Sequence, residues 1–459
     1  MKRSIGPYLD RWLAQPDRRP LVLRGARQVG KTWLVRDFAQ RQGRKLIEIN
    51  FERDPQARAC FDSNDPQKVM DEISLALNHP VSPENTVLFL DEIQAYGEVL
   101  AKLRWFAEEM PRLPVVAAGS LLEFTLADHT FSMPVGRISF LHLEPMGFSE
   151  YLDAHGQTVL SERLAQWRPG EELSTVLHQQ ASEWFQRYAM VGGMPSVVAA
   201  DVAGLGAAAC RERQLDLLAT YRADFHKYAG RVDPRVLDAV LMAVARSLGG
   251  KFIYAHVDES VKQHHVKRAL ELLTLARVCH LVRHSSANGL PLGGEIKDSF
   301  RKVILNDVGL LHALLNSPAQ SAFPRWENIA PQVRGQITEQ LVGQQLRLLG
   351  PFNGDGPQLY YWQREGGRPG EIDYLIQLND GIVPVELKSG VAGSMKSLHQ
   401  FMFDKKLGYA VRFDRNPAAE FEVSVKTTGG DPVRYRLCSL PVYFAGLPGT
   451  ILRAGSLQS

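Results

Sequence analysis

The chain has 459 residues, 45% of them hydrophobic and 22% charged, and a net charge of +3. That is the composition of a globular protein of about three domains, not of a disordered or collagen-like chain, and the charge is too mild to imply nucleic-acid binding by itself. Cys60, Cys210, Cys279 and Cys438 are far apart with no CxxC pair, which argues against a zinc site or disulfide framework and fits a reducing compartment.

The opening MKRSIGPYLDRW has no apolar leader core, and no apolar run approaches the roughly 18 residues a membrane span needs. A cytoplasmic location with no membrane partner is expected. Pro20-Leu21-Val22-Leu23 then reads as a short buried strand. The stretch RGARQVGKT at 24–32 follows it, and Trp33 to Ala39 has helical spacing. Strand, glycine loop and helix is the setting of the GxxxxGK[ST] phosphate loop, here Gly25, Ala26, Arg27, Gln28, Val29, Gly30, Lys31 and Thr32, with Trp33 next. Glycines permit the turns that aim backbone N–H groups at phosphate, the lysine reaches the β- and γ-phosphates, and the threonine hydroxyl holds Mg²⁺. ATP and Mg²⁺ are therefore the expected cofactors.

Leu46 to Asn50 reads as a second strand. VLFLDE at 87–92 is a continuous apolar run ending in two carboxylates, the pattern of a buried parallel strand whose C-terminal end meets ligand. Asp91 is placed to hold Mg²⁺ and Glu92 to polarise the attacking water. PVVAAGSLL at 114–122 is another strand, ending at Ser120, a candidate contact to the γ-phosphate or the attacking water, or else part of a plain Gly-Ser turn. Arg137 precedes the strand of ISFLHL. It is a candidate finger acting on a neighbouring subunit of a homo-oligomer, or else a surface ion pair.

Residues 151–232 read as mostly helical, a lid or linker. They hold a Gly192-Gly193-Met194-Pro195 turn, and a basic run (Arg211, Arg213, Arg222, His226, Lys227, Arg231, Arg235) interleaved with Tyr221, Phe225 and Tyr228 extends just past them. That run reads as a solvated helical face or a phosphate-binding patch. From 233 to 320 come a helix from Val236, a helix from Gln263 to Ala276, and a strand from Val278. This is the layout of a winged helix, with His264, Lys267 and Arg268 on the exposed face of its second helix. DNA or RNA is thus a candidate partner.

In 321–459, Glu371 to Leu378 and Ile382 to Lys388 flank Asn379-Asp380-Gly381, a strong hairpin signal. Strand alternation puts Glu386 and Lys388 on one face, and the hairpin brings Asp373 close to them. Glu339, on the helix predicted before the hairpin, completes a candidate metal set of Glu339, Asp373 and Glu386, with Lys388 beside the attacking water. Glu295-Ile296-Lys297 repeats the Glu-x-Lys pattern without an upstream acidic hairpin.

Residues 25–32, 91–92, 120 and 137, in this order, resemble the AAA+ ATPase superfamily, although no lid arginine of its usual kind stands out. The Gly-Gly-Met-Pro turn resembles the GxP element of its signal-transduction clade, which implies that Pro195 lies against adenine. Asp373, Glu386 and Lys388 resemble the PD-(D/E)xK nucleases, though Ile372 stands where a proline is usual. Nearly the whole chain resembles the prokaryotic ATPases that carry the domain of unknown function 4143. The resemblance implies an α/β protein: an AAA+ parallel sheet (1–150), helical lid (151–232), winged-helix-like region (233–320) and nuclease-like α/β domain (321–459). It implies an ATPase coupled to a nucleic-acid-binding, metal-dependent nuclease domain, or a nucleotide switch whose nuclease-like domain only binds.

Overall fold

The computed structural model describes residues 1–119, 136–226, 231–317, 323, 326–365, 370–378, 381–388 and 395–447. In the N-terminal part, β1 (Leu21–Arg24), β2 (Lys45–Asn50), β3 (Thr86–Asp91), β4 (Val115–Ala118) and β5 (Ser139–His142) form a parallel sheet in the order β2-β3-β4-β1-β5. Helices α1 (Gly6–Ala14) and α2 (Lys31–Arg41) cover one face, through Leu9, Trp12, Leu34 and Phe38. Helices α3 (Pro66–Ala76) and α4 (Val99–Glu109) cover the other, through Val69, Ile73, Leu100 and Phe106. Cover on both faces is why β3 is buried at every position and reads as an unbroken apolar run. The registers Asn50↔Asp91, Leu23↔Ala118 and Arg24↔His142 align the strand ends, so the segments after β1, β3, β4 and β5 gather on one edge.

A helical region follows, with α5 (Phe148–Ala154), α6 (Thr158–Gln166), α7 (Thr175–Val191), α8 (Pro195–Val202) and α9 (Gly206–Phe225). Next come α10 (Pro234–Ser247) and α11 (Gln263–Leu275). Asp233 starts α10 by accepting from Arg235 N, and Leu237, Val240, Leu241 and Val244 form its buried stripe.

The remaining elements are β6 (Cys279–Ser285), β7 (Ile296–Leu305), α12 (Val308–Leu314), α13 (Pro331–Arg347), β8 (Leu359–Gln363), β9 (Glu371–Leu378), β10 (Gly381–Leu387), α14 (Lys396–Lys405), β11 (Tyr409–Asp414), β12 (Ala419–Lys426) and β13 (Pro432–Pro441). Among the described residues the strands make one eight-stranded sheet, β12-β13-β11-β10-β9-β8-β6-β7. The β9–β10 hairpin forms with the register Gly381↔Leu378 to Val385↔Tyr374.

The strand expected in a wing, β6, pairs antiparallel with β7, but it also pairs in parallel with β8. A mostly buried strand such as β6 needs a partner on each edge, and β8 supplies the second. The sheet therefore runs through the border expected at residues 320 and 321. A single apolar core, including Tyr188, Leu217, Leu241, Leu273, Ile337, Tyr374 and Val411, joins the helical region to this sheet.

Candidate functional site

The loop after β1 wraps the start of α2. Gln28 and Gly30 take positive φ, 62° and 97°, and Gly30 is the residue from which α2 begins. Lys31 is buried, and its ammonium donates to the carbonyls of Gly25 at 2.9 Å and Ala26 at 3.0 Å. Burial pushes its pKa down to about 8, against the pull of Glu92 and Asp91. Thr32 Oγ1 donates to Asp91 Oδ2 at 3.0 Å. The hydroxyl and carboxylate that the sequence assigns to Mg²⁺ thus meet across 59 residues of chain, on the ligand edge of the sheet. Burial raises the Asp91 pKa, with the Thr32 hydrogen bond opposing it. One hydroxyl and one carboxylate, with the rest of the shell left to phosphate and water, suit Mg²⁺.

Glu92 follows Asp91 with φ 50°, in the left-handed region that turns the chain sharply off the strand. Gln94 Nε2 donates to Glu92 Oε2 at 2.6 Å. Gln94 also lies against Gly119 at the end of β4, so closely that a Cβ there would collide with its Oε1. This holder of Glu92 carries no sequence signal beyond a polar residue two places on. Ser120 lies outside the described residues. Arg137 lies just before β5, at the sheet edge opposite the loop, and its half-exposed side chain donates to Glu108 Oε1 at 2.6 Å. Trp33 is exposed, beyond the loop on α2.

The helical region closes over the loop. A Cβ on Gly30 would stand 3.5 Å from Pro195 Cγ and from Arg3 Nη1. Arg3, unremarked in the sequence, is buried; it donates to Val29 O at 3.0 Å and Glu144 O at 2.6 Å, and pairs with Glu150 at 3.1 Å. Arg27 pairs with Asp224 of α9 at 2.6 Å, and Tyr221 donates to Arg27 O at 3.1 Å. The turn before Pro195 needs its glycines for close approach. Gly192 has φ 81° and leaves no room for a Cβ beside the Asp307 carboxylate, while Gly193 N donates to Asp307 Oδ2 at 2.6 Å. Asp307 lies between β7 and α12, so the C-terminal part grips the turn directly. Burial lifts the Asp307 pKa to about 6, despite the N–H groups it accepts from.

A buried ion pair makes a second link. Arg347 of α13 contacts Glu144 by two bonds, 2.6 Å and 3.1 Å, two residues beyond β5. Arg277 at 3.9 Å and His280 at 3.6 Å flank the carboxylate. Burial would raise the Glu144 pKa, but Arg347 outweighs it and holds the group well below the usual range.

Three of the seven residues of the basic run are met by acids: Arg213 by Asp216 at 3.7 Å, Arg222 by Asp238 at 2.6 Å and Arg235 by Asp233 at 3.0 Å. Lys227 lies outside the described residues. His264, Lys267 and Arg268 are exposed on α11, Arg268 paired with Glu271 at 3.3 Å.

In the C-terminal sheet the hairpin brings its acids together. Leu387 N donates to Asp373 Oδ2 at 2.8 Å, and Lys388 donates to Glu386 Oε1 at 2.6 Å. A lysine of the chain stands among Glu339, Asp373 and Glu386, the acids expected to form a metal set. Lys302 of β7 reaches into the cluster, bound to Glu339 Oε1 at 2.8 Å and to Glu371. No group of three His, Cys, Asp or Glu side chains disposed to hold a metal ion occurs among the described residues. Burial raises the Asp373 pKa, and Glu339 and Glu386 add to it. The repeated Glu-x-Lys pattern is a surface feature: Glu295 accepts from Asn288 and Lys297 pairs with Glu365.

A glycine loop, a buried lysine under it and a Thr–Asp pair on a parallel sheet define a P-loop nucleotide-binding domain. Residues 17–152 match the family model of the AAA domain, and residues 334–421 that of a domain of unknown function, DUF4143. The chain thus carries a match to the AAA domain in its N-terminal part and to DUF4143 in its C-terminal part, the architecture its motifs resemble. A second domain of unknown function, DUF8612, matches residues 182–321. No curated protein matches the chain.

The solved structures similar to the chain include two of low identity. One is C. elegans PCH-2, at 16% identity and TM-score 0.22, over 39% of this chain and 50% of that one. The chain thus spans half the length of that relative. The other is the Aeropyrum pernix ORC2 protein in ADPNP–ADP complexes, at 15% identity and TM-score 0.33, over 68% of this chain and 90% of that one. No helix among the described residues is long and apolar enough to cross a membrane.

Proposed function

We propose that the chain hydrolyses ATP with Mg²⁺ and passes its nucleotide state to the C-terminal domain. The observation that carries this reading is the Thr32–Asp91 contact at 3.0 Å beside the buried Lys31. Lys31 leaves the loop carbonyls to grip the β- and γ-phosphates, and the loop N–H groups from Gly25 to Thr32 cradle them. Thr32 and Asp91 hold Mg²⁺, which when bound offsets the negative charge of the phosphates. Glu92 orients and polarises the attacking water, its carboxylate aimed by Gln94. Pro195 borders the nucleotide from the lid side. Arg137 points away from its own loop and acts on a neighbour in a homo-oligomer. Cytoplasmic location remains part of the reading.

For the C-terminal half, the switch reading gains over the nuclease reading, because Lys302 is bound inside the acidic cluster. DNA or RNA remains a candidate ligand of exposed His264, Lys267 and Arg268, without cleavage. ATP binding and turnover test the assignment. Lys31→Ala is expected to abolish tight ATP binding. Glu92→Gln is expected to bind ATP and lose turnover about 10²–10⁴-fold, the usual contribution of a positioned base. Unchanged turnover in Glu92→Gln would remove Glu92 from the mechanism.

A further inference from the structure

The nuclease resemblance calls for a divalent metal among Glu339, Asp373 and Glu386, and the side chains present do not suit one. Lys302 is among the most buried charged residues of the chain, at 2% exposure. Its ammonium binds Glu339 Oε1 at 2.8 Å, contacts Glu371, and stands 5.3 Å from the centre of the Tyr361 ring. A buried ammonium survives only with such partners.

The surrounding shape agrees. The turn after α10 lies on the same carboxylate: Gly249 has φ 77°, and a Cβ there would stand 3.0 Å from Glu339 Oε2. Glu339 and Asp373 line a cavity of about 460 Å³ under this turn, with Arg246 and Lys251 on its walls. Lys388 lines a different cavity, of about 370 Å³, with His178, Asp414 and Tyr443. A metal-dependent phosphodiesterase needs its carboxylates and its lysine around one reacting phosphate. Here Glu339 and Asp373 line one cavity, whereas Lys388, bonded to Glu386 at 2.6 Å, lines the other.

We propose that the ε-ammonium of Lys302 is the resident cation of the C-terminal carboxylate cluster, holding the place a divalent metal takes in a nuclease. The domain then loads no metal and cleaves no phosphodiester. The cluster is a cross-tie instead, fastening β7 to α13 and β9. Lys302 comes from outside the hairpin motif, so a motif that looks complete in sequence is filled from a strand some seventy residues earlier.

The test is a Mn²⁺ titration of the full chain, read by the electron paramagnetic resonance of free Mn²⁺. An Asp91→Asn background silences the N-terminal metal site. With Lys302 intact, no Mn²⁺ binding that depends on Asp373 is expected. Removing the ammonium while keeping the aliphatic stem, by Lys302→Met, is expected to create a Mn²⁺ site that Asp373→Asn abolishes. Two results overturn the proposal: Mn²⁺ binding with Lys302 intact that Asp373→Asn removes, or a folded Lys302→Met chain that gains no site. The measurement with Lys302 intact decides the matter even if Lys302→Met does not fold. Metal-dependent DNA cleavage by the chain with Lys302 intact, lost in Asp373→Asn, overturns it too.

Discussion

Replacing Arg347 by Met removes the guanidinium that faces Glu144 and keeps most of the apolar stem. The pair is buried on both sides, at 4% and 6% side-chain exposure, and is doubly bonded at 2.6 Å and 3.1 Å. Losing one partner of such a pair costs about 3–5 kcal/mol, because the other charge stays buried and unpaired. Arg277 at 3.9 Å and His280 at 3.6 Å still face the carboxylate, so the lower end, about 3 kcal/mol, is expected. Adding Glu144→Gln removes the stranded charge. The double variant should therefore lose less than the sum of the singles, with a coupling of about 2 kcal/mol in a urea-denaturation cycle. The sign with pH follows from the depressed folded pKa of Glu144. Its stabilisation is complete above the ordinary value of 4.5 and is lost as pH falls from there towards the folded value. The gap between wild type and Arg347→Met should thus shrink below pH 4.5. A loss under about 1 kcal/mol, or a gap unchanged in acid, would refute the reasoning.

Gly192→Ala forces a side chain into the left-handed region and against Asp307. It should cost more than about 1 kcal/mol and weaken ATP affinity by shifting Pro195, as read by thermal unfolding and nucleotide titration. Unchanged affinity in a destabilised chain would separate the turn from the nucleotide. Arg137→Ala breaks an exposed pair with Glu108, so the thermal unfolding midpoint should stay essentially unchanged. If Arg137 acts on a neighbour, turnover at oligomer-forming concentration falls about 10³-fold. Unchanged turnover would leave the residue a surface ion pair.

What was legible in the sequence is what the chain encodes locally. The phosphate loop, the apolar β3 with its two acids, and the hairpin around 379–381 each carry their signal within a dozen residues. The structure joins Thr32 to Asp91 and Asp373 to the Glu386 strand as the motifs imply. Residues with distant partners were silent. Arg3 meets Glu150, and Arg347 meets Glu144, across 147 and 203 residues, with nothing in their neighbourhoods to mark them. Lys302 lies in an ordinary strand pattern, and only the fold turns it towards the acids. The Gly-Gly-Met-Pro turn was legible as a turn. Its grip by Asp307 was not, because the need for glycine arises from a carboxylate more than a hundred residues away.

The lateral order of the second sheet also bears on how the protein is made. β6 is enclosed by β7 on one edge and β8 on the other. At synthesis rates of about 5–20 residues per second, β8 leaves the ribosome several seconds after β6. During that interval the β6–β7 hairpin presents an open edge of unpaired backbone groups, the kind of surface that pairs with the wrong chain. The helices α10 and α11, already made, are the material at hand to shelter it. The nascent chain's hazard is therefore concentrated between the emergence of β7 and that of β8. A pause in translation there would lengthen the exposure, whereas one after β8 would not.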